Sequence, residues 1–211
     1  MPDQDLTVFV VDDDEDIRSS LTRALNKRGY QVETYSSALV FLDAYDGKRP
    51  GCLVLDQGMP DMSGLELQRR LKELGYPIPI IFITGHGGVP ESVAAIKAGA
   101  VDFLEKPFRQ LDLIDRIESA FAIASKQLAG LEEMRKLQQR FNKLTAREQE
   151  IVDRMVEMPS ETSSKEIGSW LGISPRTVDH HRARILEKLD VRSVAELIAV
   201  AQKFASLSRE A

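Results

Sequence analysis

The chain carries one cysteine in 211 residues, Cys52, so no internal disulfide is open to it. Cys52 opens an apolar run, where a thiol packs as a small hydrophobe. No run of 18 apolar residues occurs, and no membrane-spanning helix is expected. The start, Met1-Pro2-Asp3-Gln4-Asp5, is acidic and lacks the charged start and apolar core of a secretory signal. These absences exclude a disulfide scaffold and a helical membrane protein, and they predict a cytoplasmic one. Positive charge is scarce in the first part: residues 1–125 hold 13 Lys/Arg against 20 Asp/Glu, net −7, whereas residues 126–211 hold 15 against 13, net +2. The imbalance suggests two modules with two tasks. Because the second module is close to neutral, a nucleic-acid surface on it must be a local patch.

What is present is a series of short apolar runs, each ending at a residue suited to phosphoryl chemistry. Leu6-Thr7-Val8-Phe9-Val10-Val11 leads to Asp12-Asp13, and Cys52-Leu53-Val54-Leu55 leads to Asp56. Ile80-Ile81-Phe82-Ile83 leads to Thr84, and Asp102-Phe103-Leu104-Glu105 leads to Lys106-Pro107. Between the runs lie helical patterns. Ile17, Leu21, Ala24 and Leu25 precede a stop at Gly29, and Leu67 and Leu71 precede Gly75. Val93 to Ala98 stops at Gly99, and Leu111 to Ala124 follows. With a short strand at Gln31–Tyr35, this alternation predicts an α/β doubly wound, five-stranded parallel sheet. Ligands of such sheets bind outside the carboxyl ends of the strands. Three carboxylates, a hydroxyl and an ammonium then converge on one site, with the composition of a Mg²⁺ and phosphate site.

These residues resemble a response-regulator receiver domain, a flavodoxin-like fold, over about residues 5–125. Val11-Asp12-Asp13, Leu55-Asp56-Gln57-Gly58-Met59-Pro60-Asp61-Met62-Ser63-Gly64, Thr84 and Lys106-Pro107 carry the likeness. The resemblance implies that Asp56 is phosphorylated by the phosphohistidine of a sensor histidine kinase. Asp13, Asp56 and the Gly58 carbonyl would ligate Mg²⁺, with Asp12 acting through water. Thr84 and Lys106 would take the phosphoryl oxygens, and Phe103 would fill the space that Thr84 vacates. The altered surface would be the helix from about Pro90 to Ala98 and the elements beyond it. Gly58, small and two residues after the nucleophile, leaves easy access for an attacking water, which would favour a short-lived phosphorylated state. As a phosphoacceptor and not an enzyme, the protein is expected to dephosphorylate itself slowly. Asp14, Glu15 and Asp16 favour a helix N-terminus electrostatically and are assigned no chemistry. His86 lacks an evident catalytic partner and is read as a loop residue. A dehalogenase-type phosphatase would carry an acid/base at the position of Gly58, which argues against a turnover enzyme. A receiver-like interaction module whose DNA binding ignores phosphate is the other alternative.

Ile117, Phe121, Ala124, Leu128 and Leu131 alternate steps of four and three, the spacing of a coiled-coil seam, and the register slips at Met134. A helical linker over 126–143 is expected. Beyond it, Thr145 and Glu148 form a capping box before Ile151, Val152 and Met155. Glu166 to Leu171 predicts a short helix ending at Gly172, with Trp170 placed in its core face. Ser174-Pro175 opens the next, to Leu189. A helix, a tight glycine turn and a second helix form a helix-turn-helix. Val178, Ile185 and Leu189 make the inner face; Arg176, Asp179, His180, Ala183, Arg184 and Glu187 make the other.

Leu144-Thr145-Ala146-Arg147-Glu148, Lys165-Glu166-Ile167, Leu171-Gly172-Ile173-Ser174-Pro175-Arg176-Thr177-Val178 and His181-Arg182-Ala183-Arg184 resemble a LuxR-type DNA-binding domain over about residues 142–205. The whole chain is thus similar to two-component regulators of the FixJ/NarL class. That likeness implies a receiver at 1–125, a linker at 126–143 and an all-α DNA-binding domain at 144–211. Lys165, Arg176, Thr177, Asp179, His180, Ala183 and Arg184 are the candidate DNA contacts, with Asp179 able to accept from cytosine. Residues 158–164 are longer than the family's loop by about three residues, a departure that bears on the phosphate contact of Lys165. The implied partners are a sensor histidine kinase, double-stranded DNA and RNA polymerase, with Mg²⁺ as cofactor and a phosphorylation-promoted homodimer as the active form.

Overall fold

The computed structural model of the chain describes residues 6–85, 93 and 95–210. Residues 1–128 form one compact unit and residues 129–211 a second. Met1 to Asp5, His86 and most of the helix expected from Pro90 lie outside the described residues.

In the first unit, β1 (Thr7–Val11), α1 (Glu15–Asn26), β2 (Gln31–Tyr35), α2 (Ala38–Ala44), β3 (Gly51–Asp56), α3 (Gly64–Glu73), β4 (Ile80–Thr84) and β5 (Asp102–Glu105) follow in order. Among the described residues, five strands make one parallel sheet in the order β2-β1-β3-β4-β5. The central strands β3 and β4 are buried at every residue, as apolar runs covered on both faces should be. The edge strand β2 departs from that rule, with Gln31 and Thr34 exposed. One face packs Val8, Val10, Val54, Ile81 and Ile83 against Leu21, Leu25, Leu113 and Ile117. The other packs Phe9, Leu53, Leu55 and Phe82 against Phe41, Leu67 and Leu71. Helix starts are capped by Asp14, Ser37 and Ser63, whose side chains accept backbone N–H groups of the first turn.

Helix α4 (Gln110–Phe141) is longer than the pattern Leu111–Ala124. Its apolar stripe does not form a single seam. Ile117, Phe121 and Ala124 are buried in the core of the first unit, whereas Leu131 is exposed, Leu137 is buried and Phe141 belongs to the core of the second. Most of the expected seam therefore satisfies intramolecular packing, and Leu131 with the half-buried Leu128 is what remains of it.

The second unit continues with α5 (Ala146–Glu157), α6 (Ser164–Leu171), α7 (Pro175–Leu189) and α8 (Val194–Glu210). Thr145 and Glu148 complete the expected capping box. Glu148 is 1% exposed, and Lys188 of α7 reaches it at 2.5 Å. Burial pushes the Glu148 carboxyl up, but the hydrogen bonds from Lys188 and Thr145 outweigh it and hold the group below its ordinary range. Gly172 turns the chain after α6 with φ +66°, and a Cβ on Gly168 would stand 2.8 Å from the Ile173 carbonyl oxygen. Close packing of α6 on the turn needs that missing side chain.

Trp170 is not a core residue. It is 52% exposed, because Ile167, Gly168 and Leu171 supply the inward face of α6. The Arg154 guanidinium lies 5.2 Å from its ring centroid instead.

Candidate phosphoacceptor site and DNA interface

Adjacent strand ends bring four of the expected residues together. Asp12 follows β1, Asp56 ends β3, Thr84 ends β4 and Lys106 follows β5. Asp12, Asp56 and Thr84 are 1%, 6% and 4% exposed. The Lys106 ammonium donates to Asp12 Oδ2 at 2.8 Å and to Asp56 Oδ1 at 2.7 Å. The backbone N–H of Gly58 donates to Asp56 Oδ2 at 2.8 Å, and that of Asp14 to Asp12 Oδ1 at 2.9 Å. Each carboxylate is thus held at both oxygens, which fixes its rotation.

Burial raises the Asp12 carboxyl above its usual range, against the lowering effect of the Lys106 and Asp14 hydrogen bonds. Burial would lower Lys106, but its bonds to the two carboxylates prevail and raise it. The ammonium is therefore firmly charged. Gly64 sets the nucleophile's strand against α3: a Cβ there would be 2.6 Å from the Asp56 carbonyl oxygen and 2.9 Å from the Phe82 ring. A Cβ on Gly58 would sit 3.6 Å from Asp56 Oδ2, an ordinary contact, so this position opens onto the carboxylate.

Asp13 is exposed next to Asp12. Among the described residues, no three carboxylates, histidines or cysteines close a metal site by themselves. Lys106 occupies the space between Asp12 and Asp56 instead. The donor chemistry nevertheless fits a hard cation: Asp12, Asp13 and Asp56 offer only oxygens, and one ammonium leaves two of their three negative charges unbalanced. Mg²⁺ keeps several waters and needs few protein ligands. Phe103 pairs in register with Phe82 and is half-buried against the core that contains Ala95 and Ala100.

In the second unit, α7 buries Val178, Ile185 and Leu189 and exposes Arg176, Thr177, Asp179, His180, Ala183 and Arg184. Ser174 caps it by accepting from the Thr177 N–H at 3.1 Å, and the two hydroxyls are 2.8 Å apart. Thr177 is thus engaged in the cap. Lys165 is exposed in the first turn of α6.

Three residues to which the sequence reading gave no role, Arg154, Arg182 and Ser164, fasten the start of α6 and the segment before it. Arg154 pairs with Glu161 at 2.8 Å, Arg182 donates to the Thr162 carbonyl, and Ser164 donates to the Asp179 carboxylate. The spacing of Asp179 and Arg182, three apart on one helix, was the available signal. Their partners on another element were not.

The comparisons agree with both halves. The profile of the response regulator receiver domain matches residues 8–118, and that of the bacterial regulatory proteins of the luxR family matches residues 142–201. The response regulator protein TodT of Pseudomonas putida is 40% identical over 203 residues, covering 96% of this chain and 88% of its own. The transcriptional regulatory protein FixJ of Rhizobium meliloti is 42% identical over 197 residues, covering 93% and 95%. The solved structure of the response regulator StyR aligns with a TM-score of 0.84 at 42% identity, over 94% of this chain and 99% of that one. With an aspartate-lined strand-end site in one unit and a helix-turn-helix in the other, the chain belongs to the two-component response regulators of the FixJ/NarL class, which are DNA-binding transcriptional regulators.

Proposed function

We propose that Asp56 accepts a phosphoryl group from a sensor histidine kinase and that this event governs DNA binding through α7. The observation that carries the reading is the Lys106 ammonium, 2.7 Å from Asp56 and 2.8 Å from Asp12 at the ends of adjacent strands. An Asp56 oxygen attacks phosphorus, the O–P bond forms, and the P–N bond of the phosphohistidine breaks with its electron pair leaving on the imidazole. The Gly58 N–H orients the carboxylate for that attack. Lys106 and the Thr84 hydroxyl then bind phosphoryl oxygens, since catalysis of phosphoryl transfer is mainly positioning and electrostatics. Asp13, Asp56 and the Gly58 carbonyl would hold Mg²⁺, with Asp12 bound through water. The ion supplies positive charge that screens an anionic nucleophile from an anionic donor.

Phosphorylation adds about −1.5 to −2 charges and three acceptor oxygens. Thr84 moves toward them and Phe103 follows into the space. The receiver spans 1–125, the linker 126–143 and the DNA-binding domain 144–211. Lys165, Arg176, His180, Ala183 and Arg184 face DNA, and a dimer places two such helices on one operator, with RNA polymerase as a further partner. The protein works in the cytoplasm and dephosphorylates itself slowly.

Acid-labile phosphate uptake from acetyl phosphate with Mg²⁺ tests the assignment. Asp56→Asn should take up none, because an amide lacks the nucleophilic oxygen. Full labelling of that variant at the same site would reject Asp56.

A further inference from the structure

We infer that Asp179, on the outer face of the recognition helix, is a positioning residue for the start of α6 and not a reader of bases. The inference rests on α7 being the DNA-facing helix. Asp179 Oδ1 accepts a hydrogen bond from the hydroxyl of Ser164, the first residue of α6. One turn along, Arg182 donates to the carbonyl of Thr162, and Arg182 is half-buried. The two side chains, three residues apart, therefore grip the same short segment, which ends in the cap of α6. Ser163 caps that helix by accepting the Glu166 N–H, and the Glu166 carboxylate returns to Ser163. Lys165 projects from the turn so fixed.

Reach and charge argue the same way. An aspartate ends two bonds beyond its Cβ, and this one is turned toward a neighbouring helix. A bare carboxylate aimed at DNA would face phosphates of its own sign, whereas one engaged by a hydroxyl is partly compensated. Arg176, His180 and Arg184 are exposed on α7 and make no side-chain hydrogen bond or ion pair among the described residues. They, and not Asp179, are the side chains available to base edges. The longer 158–164 segment is accordingly not a loose insertion ahead of Lys165. It is fastened by the recognition helix itself, through Thr162 and Ser164, and by Arg154 through Glu161.

The test uses the phosphorylated full-length protein and selection from random-sequence duplexes, followed by affinity measurements across a salt series. Asp179→Ala and Ser164→Ala should each weaken binding by about fivefold for every selected sequence, with base preferences as in wild type. The double variant should lose no more than either single one, since both break one contact. A changed preference at one base pair in Asp179→Ala, absent in Ser164→Ala, would overturn the inference in favour of base reading. Tighter, sequence-independent binding by Asp179→Ala would overturn it in favour of simple charge repulsion. Additive losses would also overturn it. His180→Ala and Arg184→Ala serve as controls: unchanged affinity and preference in both would instead sink the assignment of α7 to the groove.

Discussion

The backbone N–H of Lys106 donates to the carbonyl oxygen of Thr84 at 2.7 Å, one step beyond the paired residues Thr84 and Glu105. The hydroxyl and the ammonium assigned to the phosphoryl group are therefore spaced by the sheet ladder and not by loop conformation. Changing one side chain leaves the backbone that presents the other in place.

That separation predicts a split between chemistry and response. Thr84→Ala and Lys106→Ala should still acquire phosphate at Asp56, while the gain in DNA affinity on phosphorylation shrinks, because the new charge loses a receptor. Affinity measured with and without phosphorylation checks this. A gain of wild-type size in both variants would reject the proposed switch.

The lifetime of the phosphorylated state should depend on Gly58. A Cβ there meets Asp56 Oδ2 at 3.6 Å, so a larger side chain fits and shields the acyl phosphate from water. Gly58→Leu is expected to fold normally and to lose phosphate severalfold more slowly, as followed by decay of the radiolabelled protein. Decay at the wild-type rate would assign hydrolysis to another approach path.

Assembly is the third expectation. The span 144–211 holds 10 Lys/Arg against 11 Asp/Glu, net −1, so one copy has little charge to hold DNA phosphates. Two copies on adjoining half-sites raise the effective concentration of the second. Sedimentation should reveal a dimer on phosphorylation. Leu131→Glu should leave it intact, since most of the former seam is buried within the chain. A protein that stays monomeric on and off DNA while binding tightens would point to relief of domain masking.

Acid stability of the second unit should follow Glu148. Its folded carboxyl titrates below the ordinary 4.5, so its contribution is complete above that value and is lost as pH falls through the lowered one. Lys188→Met removes the countercharge and should cost about 1–3 kcal/mol near neutral pH. It should also reverse the sign, because a buried carboxyl without its partner titrates high and favours folding at lower pH. Trp170, the only tryptophan, reports unfolding of this unit by fluorescence. A neutral-pH stability equal to wild type would show that the ion pair merely offsets its own desolvation.

The sheet and the strand-end cluster were legible because both depend on local pattern: an apolar run, then a polar residue, repeated. The same pattern could not tell which chain an apolar stripe would pack against. Ile117 and Phe121 read as a seam, yet they meet the sheet, and Phe141 meets Phe204 with ring centroids 4.5 Å apart. Trp170 was misplaced because hydrophobic type was taken for burial, although its position one residue before Leu171 puts it off the inward face of α6. Helix spacing put Asp179 on the outer face of α7, and the family likeness added Thr177, but neither could show which side chains these two meet. Their partners, Ser164 and Ser174, are set by how helices meet and by how the turn closes.

Gly64 leaves no slack between α3 and the strand that ends in Asp56. The backbone of the nucleophile is consequently located by helix packing from behind, while the Gly58 N–H sets the rotation of its carboxylate. Tolerance to mutation should therefore be sharply uneven over a few consecutive positions. Exchanges at exposed Pro60 or Asp61 alter what approaches the aspartate, and any side chain at 64 displaces the aspartate itself. Natural variation can thus explore the rim of this site while its floor stays closed to change.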